Sequence, residues 1–155
     1  MAILNAYPKE EALTIFKESL SEIKNCIGFN NHMGSKVTEN KEIIKELLKE
    51  AKNRNLIVID SVTGPKSIVG ETAEEIGVNY LKRDVFLDST QDISKIVSNL
   101  KKAGKIAKEK GMAIAIGHVG AEGGLVTYQA IKSTYKEIES SGVKFVGVSE
   151  LFSEK

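Results

Sequence analysis

"LIVID", residues 56–60, decides the fold. Leu56, Ile57, Val58 and Ile59 make an unbroken apolar run rich in β-branched residues, and Asp60 closes it. A run this short, with no polar alternation, reads as a strand covered on both faces, as in a parallel sheet. The preceding segment, "TENKEIIKELLKEAKNRN" at residues 38–55, sets Ile43, Ile44, Leu47, Leu48 and Ala51 along one helical face, with Thr38 as the expected cap. A helix turning directly into a buried strand is half of a βαβ unit.

Working outward, the pattern recurs. "PKEEALTIFKESLSEI" (8–23) spaces Leu13, Phe16, Leu20 and Ile23 three and four apart behind a proline suited to a first helical turn, and "CIGFNN" (26–31) follows as a short strand. Downstream, "SIVGETAEEIG" (67–77) reads as a helix and "VNYLKRDVFLD" (78–88) as one broken or two short strands. "STQDISKIVSNLKKAGKIAKEKG" (89–111) is a long helix. Strand "MAIAIG" (112–117), helix "GLVTYQAIKSTYKEIESSG" (124–142) and strand "VKFVGVSE" (143–150) complete the chain. The alternation predicts an α/β fold of about five parallel strands flanked by helices, in a single domain over residues 1–155.

Composition narrows the function. Lysine and arginine number 22 against 21 acidic residues, so no net field draws the chain to nucleic acid or an anionic membrane. The single cysteine, Cys26, excludes an internal disulfide; at the start of its strand it reads as core packing. No stretch approaches the roughly 20 apolar residues of a membrane span. The opening "MAILNAYPKEEAL" has too short an apolar stretch and no basic flank for a signal peptide, which leaves localisation open.

Chemistry in parallel α/β folds gathers at the carboxyl ends of the strands. His32 follows "IGFNN", Asp60 ends "LIVID", Asp88 ends "VFLD" and His118 follows "MAIAIG". Alternation puts Gly28, Asn30 and His32 on one side of their strand and Ile27 and Phe29 on the other, against helices. Taken singly, Asp60 and Asp88 read as turn formers, with Asp88 before or capping the next helix. A lone histidine is as often a hydrogen-bonded structural residue as a working one. Both histidines of the chain, however, fall at the same expected edge, which predicts that His32 and His118 line one cleft. The glycines of "GHVGAEGGL" match neither GxGxxG nor a P-loop and read as a turn with some capacity for a backbone-lined subsite, while "TGPKS" (63–67) reads as a turn into a helix. No GxSxG elbow is present.

The strings "FNNHMGSKVT", "IVIDSVT", "RDVFLD" and "AIAIGHVGAEGG", followed by "GVKFVGVSEL", resemble the C-terminal portion of the divergent polysaccharide deacetylase family along nearly the whole chain. The resemblance implies a partial (β/α) barrel, polysaccharide-deacetylase-like, and hydrolysis of the acetamido group of N-acetylated oligosaccharides or polysaccharides. It implies a divalent metal, with zinc as one candidate, that polarises the carbonyl and activates water, a carboxylate that takes a proton, and an imidazole that protonates the amine. On these residues it makes His118 the catalytic acid, Asp60 its orienting carboxylate and His32 the metal ligand. Asn30, Asn31, Ser35, Arg83 and Asp84 become substrate-binding or supporting residues. The family's amino-terminal part, with an Asp-Asp pair ending its first strand and a further histidine-bearing strand, has no counterpart in these 155 residues. The expectation is therefore a domain with its first strands missing, its activity impaired, and self-association or a partner supplying strands to the open edge. A non-catalytic carbohydrate-binding or assembly module is the alternative.

Overall fold

A computed structural model of the chain describes residues 2–120 and 123–152, and the backbone divides after Lys82 into two compact units. The first alternates α1 (Lys9–Ser21), β1 (Gly28–Asn30), α2 (Lys41–Asn53), β2 (Ile57–Asp60), α3 (Val69–Ile76) and β3 (Tyr80–Lys82). Its strands form a parallel sheet in the order β1-β2-β3, with Phe29 opposite Val58 and Val58 opposite Tyr80. The strand of "LIVID" lies at the centre, and Leu56, Ile57 and Val58 are buried as a doubly covered strand requires. A Cβ at position 28 would strike the Ile57 carbonyl, so β1 approaches β2 closely only because residue 28 is glycine.

Ile43, Ile44, Leu47, Leu48 and Ala51 of α2 are all buried, as the spacing predicts. Helix α1 contributes Ala12, Ile15, Phe16 and Leu20, and the Phe16 ring meets Phe29 edge-on at 4.8 Å between centroids. Ile23 and Ile27 depart from expectation and are exposed. The reason is local: α1 ends at Ser21, and Asn25 at φ 58 turns the chain before either side chain reaches the core. The α2 cap is Asn40, whose side chain accepts the Ile43 N–H at 3.2 Å. Thr38 instead lies in a 3-10 turn, Val37–Glu39, its hydroxyl donating to the Ser35 carbonyl at 2.9 Å.

The second unit holds β4 (Val85–Phe86), α4 (Ile93–Lys110), β5 (Ala115–Ile116) and α5 (Gly124–Ser140). Strands β4 and β5 pair in parallel, Val85 with Ala115 and Phe86 with Ile116. "VNYLKRDVFLD" thus makes two short strands, each in a different sheet. Ile96, Leu100 and Ala103 of α4 join Ala130 and Ile138 of α5, with Val85 and Leu87, in one buried cluster. Asp92 caps α4, accepting the Ser94 N–H at 2.9 Å, so Asp88 is not the cap. "VKFVGVSE" is no strand: residues 143–147 are irregular, and a 3-10 helix, Val148–Phe152, follows. Phe145 and Val146 are exposed there, and among the described residues no strand pairs with the segment; β-branched composition without a partner does not make a strand.

Among the described residues there are five strands, all paired in parallel and flanked by helices, which matches the α/β part of the predicted class. Ile96 has no exposed surface, so Ile96→Ala is expected to cost about 2–5 kcal/mol. A lower urea midpoint at unchanged slope is the corresponding measurement.

Candidate functional site

In the second unit the β4–β5 register, continued two residues, brings Asp88 beside His118. Oδ2 of Asp88 accepts the His118 backbone N–H at 2.7 Å and the Thr127 hydroxyl at 2.5 Å, while Oδ1 lies 3.1 Å from Nδ1 of the His118 ring. The carboxylate is buried and the imidazole one-quarter exposed. Burial opposes the charge, but the Thr127 hydroxyl, the His118 amide and the His118 ring outweigh it and hold the Asp88 carboxyl below its ordinary range. An ionised carboxylate only accepts, so the Asp88 contact calls for the proton on Nδ1, which makes Nε2 the acceptor nitrogen of the neutral ring.

The surroundings are shaped to this pair. A Cβ on Gly117 would stand 3.0 Å from Thr127 Cγ2 and 3.2 Å from Asp88 Oδ2, so a side chain there would press into the contact. The Phe86 ring meets the imidazole edge-on at 5.3 Å, and the Arg83 guanidinium lies 5.4 Å from the centre of that ring. Arg83 thus lies against the ring that in turn packs on the histidine. Asp84 accepts the Ile114 N–H at 2.9 Å and pairs with Lys110 at 3.4 Å, fastening the beginning of β5.

In the first unit the loops after β1 and β2 are sewn together by side chains. The Asn30 amide donates to Ser61 Oγ at 3.0 Å; Asn31 accepts the Ser61 N–H at 2.8 Å and donates to Thr63 Oγ1 at 3.2 Å. The Thr63 hydroxyl donates to the Met33 carbonyl at 2.9 Å. Asp60 is buried, its Oδ1 accepting the Val62 N–H and its Oδ2 the Ser67 hydroxyl, each at 2.8 Å. This holds Val62 at φ 50, a left-handed conformation that a β-branched residue rarely adopts, and Met33 is at φ 55. A Cβ added at Gly64 would stand 3.1 Å from the Ser35 Cβ, so Ser35 packs closely against that glycine. His32 is exposed on the same loop, between Asn31 and the turn at Met33.

The carboxylate bound to the His118 ring is thus Asp88, a residue that sequence reasoning gave a turn or capping part, and Asp60 accepts hydrogen bonds from the loop following its own strand. The available signal was that "VFLD" and "AIGH" both end polar, and in phase once β4 and β5 are known to be neighbours. Among the described residues, no three His, Cys, Asp or Glu side chains gather so as to hold a metal ion. Part of the turn in "GHVGAEGGL", residues 121 and 122, lies outside the described residues.

The family profile described as "Divergent polysaccharide deacetylase" matches residues 1–152. The chain belongs to that family. It is 38% identical over 96 residues to an uncharacterized protein of Haemophilus influenzae, covering 62% of this chain and 34% of the relative. It is 34% identical over 109 residues to the uncharacterized protein YibQ of Escherichia coli K12, covering 70% of this chain and 34% of the relative. The matches span about a third of the length of these curated relatives. The crystal structure of an uncharacterized protein from Agrobacterium tumefaciens C58 shares the fold with a TM-score of 0.88 at 24% identity, over 96% of this chain and 59% of that one.

Two outcomes follow from the geometry. Because folding lowers the Asp88 pKa, its contribution to stability is complete above the unfolded value of about 3.9 and is lost as pH falls through the lower folded value. Asp88→Asn is expected to lower stability near neutrality by about 1–3 kcal/mol and to flatten this acid limb, as read by thermal melts between about pH 2 and 7. At Val62, both Ala and Gly remove the branch methyls, but only Gly, which lacks a Cβ, relieves the left-handed strain. Val62→Gly should exceed Val62→Ala in stability by about 1 kcal/mol in urea melts.

Proposed function

We propose that this chain is the His118-bearing part of a polysaccharide-deacetylase-like hydrolase, of (β/α)-barrel type, that removes the acetyl group from N-acetylated sugars. The observation carrying the reading is the buried Asp88 carboxylate bound to Nδ1 of a partly exposed His118 at the end of β5, within this family. Hydrolysis of an acetamide needs water added at the carbonyl carbon, the C–N bond broken and a proton given to the departing nitrogen. An imidazolium held at Nδ1 by a carboxylate gives that proton from Nε2, and the retained carboxylate stabilises the charged ring beforehand. Arg83 and Phe86 confine the ring, while Asp84 supports β5.

Asn30, Asn31 and Ser35 are the proposed sugar contacts, with Asp60 acting through the loop that carries their partners Ser61 and Thr63. The family's chemistry is generally metal-dependent, and His32 is the candidate ligand in this chain. Among the described residues no two further donors gather with it, so the reading is carried by proton handling at the Asp88–His118 pair.

The test is acetate release from N-acetylated chitooligosaccharide with added divalent metal. The 155-residue chain by itself is expected to give undetectable or very slow release. Replacing the matched 109-residue segment of the E. coli relative by this chain's counterpart should give turnover. In that chimera, His118→Ala should lower kcat by about 10²–10⁴-fold. Turnover indifferent to His118 overturns the acid assignment. Oligosaccharide binding without acetate release, in a folded chimera, overturns the hydrolase reading in favour of a carbohydrate-binding module.

A further inference from the structure

The geometry points to Thr127 as the positioning residue of the Asp88–His118 pair: its hydroxyl pins one carboxylate oxygen from helix α5, so that the other oxygen stays aimed at Nδ1 of the imidazole. The His118 amide also binds Oδ2, but one contact leaves a carboxylate able to pivot about the bond. A second donor to the same oxygen, arriving from a different element, fixes the carboxylate plane. The inference deepens the reading of His118 as the proton donor, since a proton delivered to a leaving nitrogen needs a ring of fixed tautomer and direction.

Thr127 makes this contact in place of the usual one. Helical serine and threonine hydroxyls commonly donate to the carbonyl four residues back. Thr14, Ser19, Thr72 and Ser140 do so in this chain, to Glu10, Ile15, Ile68 and Lys136. The Thr127 backbone N–H bonds to the Gly123 carbonyl at 2.9 Å, yet its hydroxyl turns to Asp88. The side chain is buried, and Gly117 sits where any Cβ would stand 3.0 Å from the Thr127 methyl and 3.2 Å from Asp88 Oδ2. Two independent features, a redirected hydroxyl and a glycine that leaves it room, therefore converge on one contact. Among the groups facing the ring are Asp88 and Phe86, with Arg83 against the Phe86 ring.

The 155-residue chain has only two histidines, so long-range ¹⁵N–¹H correlation spectra read both ring tautomers, with His32 as the internal reference. In the wild type the neutral His118 ring should be the Nδ1–H tautomer. Thr127→Val keeps the shape and removes the donor. Its His118 tautomer ratio should move about tenfold toward Nε2–H, the equivalent of one charge-assisted hydrogen bond, while His32 stays unchanged. Thr127→Ser should restore the wild-type ratio. A folded Thr127→Val with the wild-type ratio overturns the proposal, as does a Ser variant that behaves like Val. Should the Val variant not fold, the wild type still decides: the Thr127 hydroxyl proton should appear as a slowly exchanging downfield resonance, and its absence overturns the contact. None of these readouts requires turnover, so they are independent of whether the deacetylase reading holds.

Discussion

A parallel strand covered on both faces leaves polar chemistry almost nowhere to go except its ends. Burying Ile57 and Val58 from both sides, or Val85 and Leu87 against two helices, forbids an unpaired polar group along the strand. At the carboxyl end the ladder stops, backbone donors become available, and a carboxylate can be buried without being orphaned. Asp60 and Asp88 occupy such ends, each almost wholly inaccessible and each supplied with donors.

The two carboxylates are nevertheless put to different uses, and the difference lies in the origin of the donors. Those of Asp60 come from within its own loop, Val62 two residues on and Ser67 seven. A carboxylate satisfied this locally specifies backbone conformation, here the left-handed Val62 that lets Ser61 and Thr63 meet Asn30 and Asn31. The donors of Asp88 lie 30 and 39 residues away, on the end of a neighbouring strand and the first turn of a helix. A carboxylate satisfied at that range specifies tertiary placement, and among its donors is a titratable ring.

That same distinction separates what was legible in the sequence from what was not. The buried face of α2 and the strand "LIVID" are written in local spacing, and they stand in the structure as read. The cap of α2 is also local, but Thr38 and Asn40 compete for it, and a two-residue offset in where the turn begins decided for Asn40. Asp88 could not be assigned from its own neighbourhood, because its partner is chosen by which strands pair, and pairing is set by packing rather than by adjacent residues. The error at 143–150 has the same origin: the composition suits a strand, but β structure exists only as a pair.

If His118 transfers a proton as proposed, the consequence of these contacts is that its ring is held in place by the protein itself. Its backbone and its ring are bound to the two oxygens of one carboxylate, so a rotation of the ring about χ2 breaks the Oδ1 contact, and a shift of the backbone breaks the Oδ2 contact. Phe86 restrains the ring from the side, and Thr127 keeps the carboxylate from following it. Each restraint comes from a different element, so no single local motion releases the imidazole. His32, on a loop held through backbone and amide contacts at Asn31 and Met33, has its main-chain path specified while its side chain stands exposed. On the proposed reading, the fixed direction of His118 is what a group delivering a proton to one atom would need, and the exposed His32 on its stitched loop would serve as a metal ligand only together with further donors.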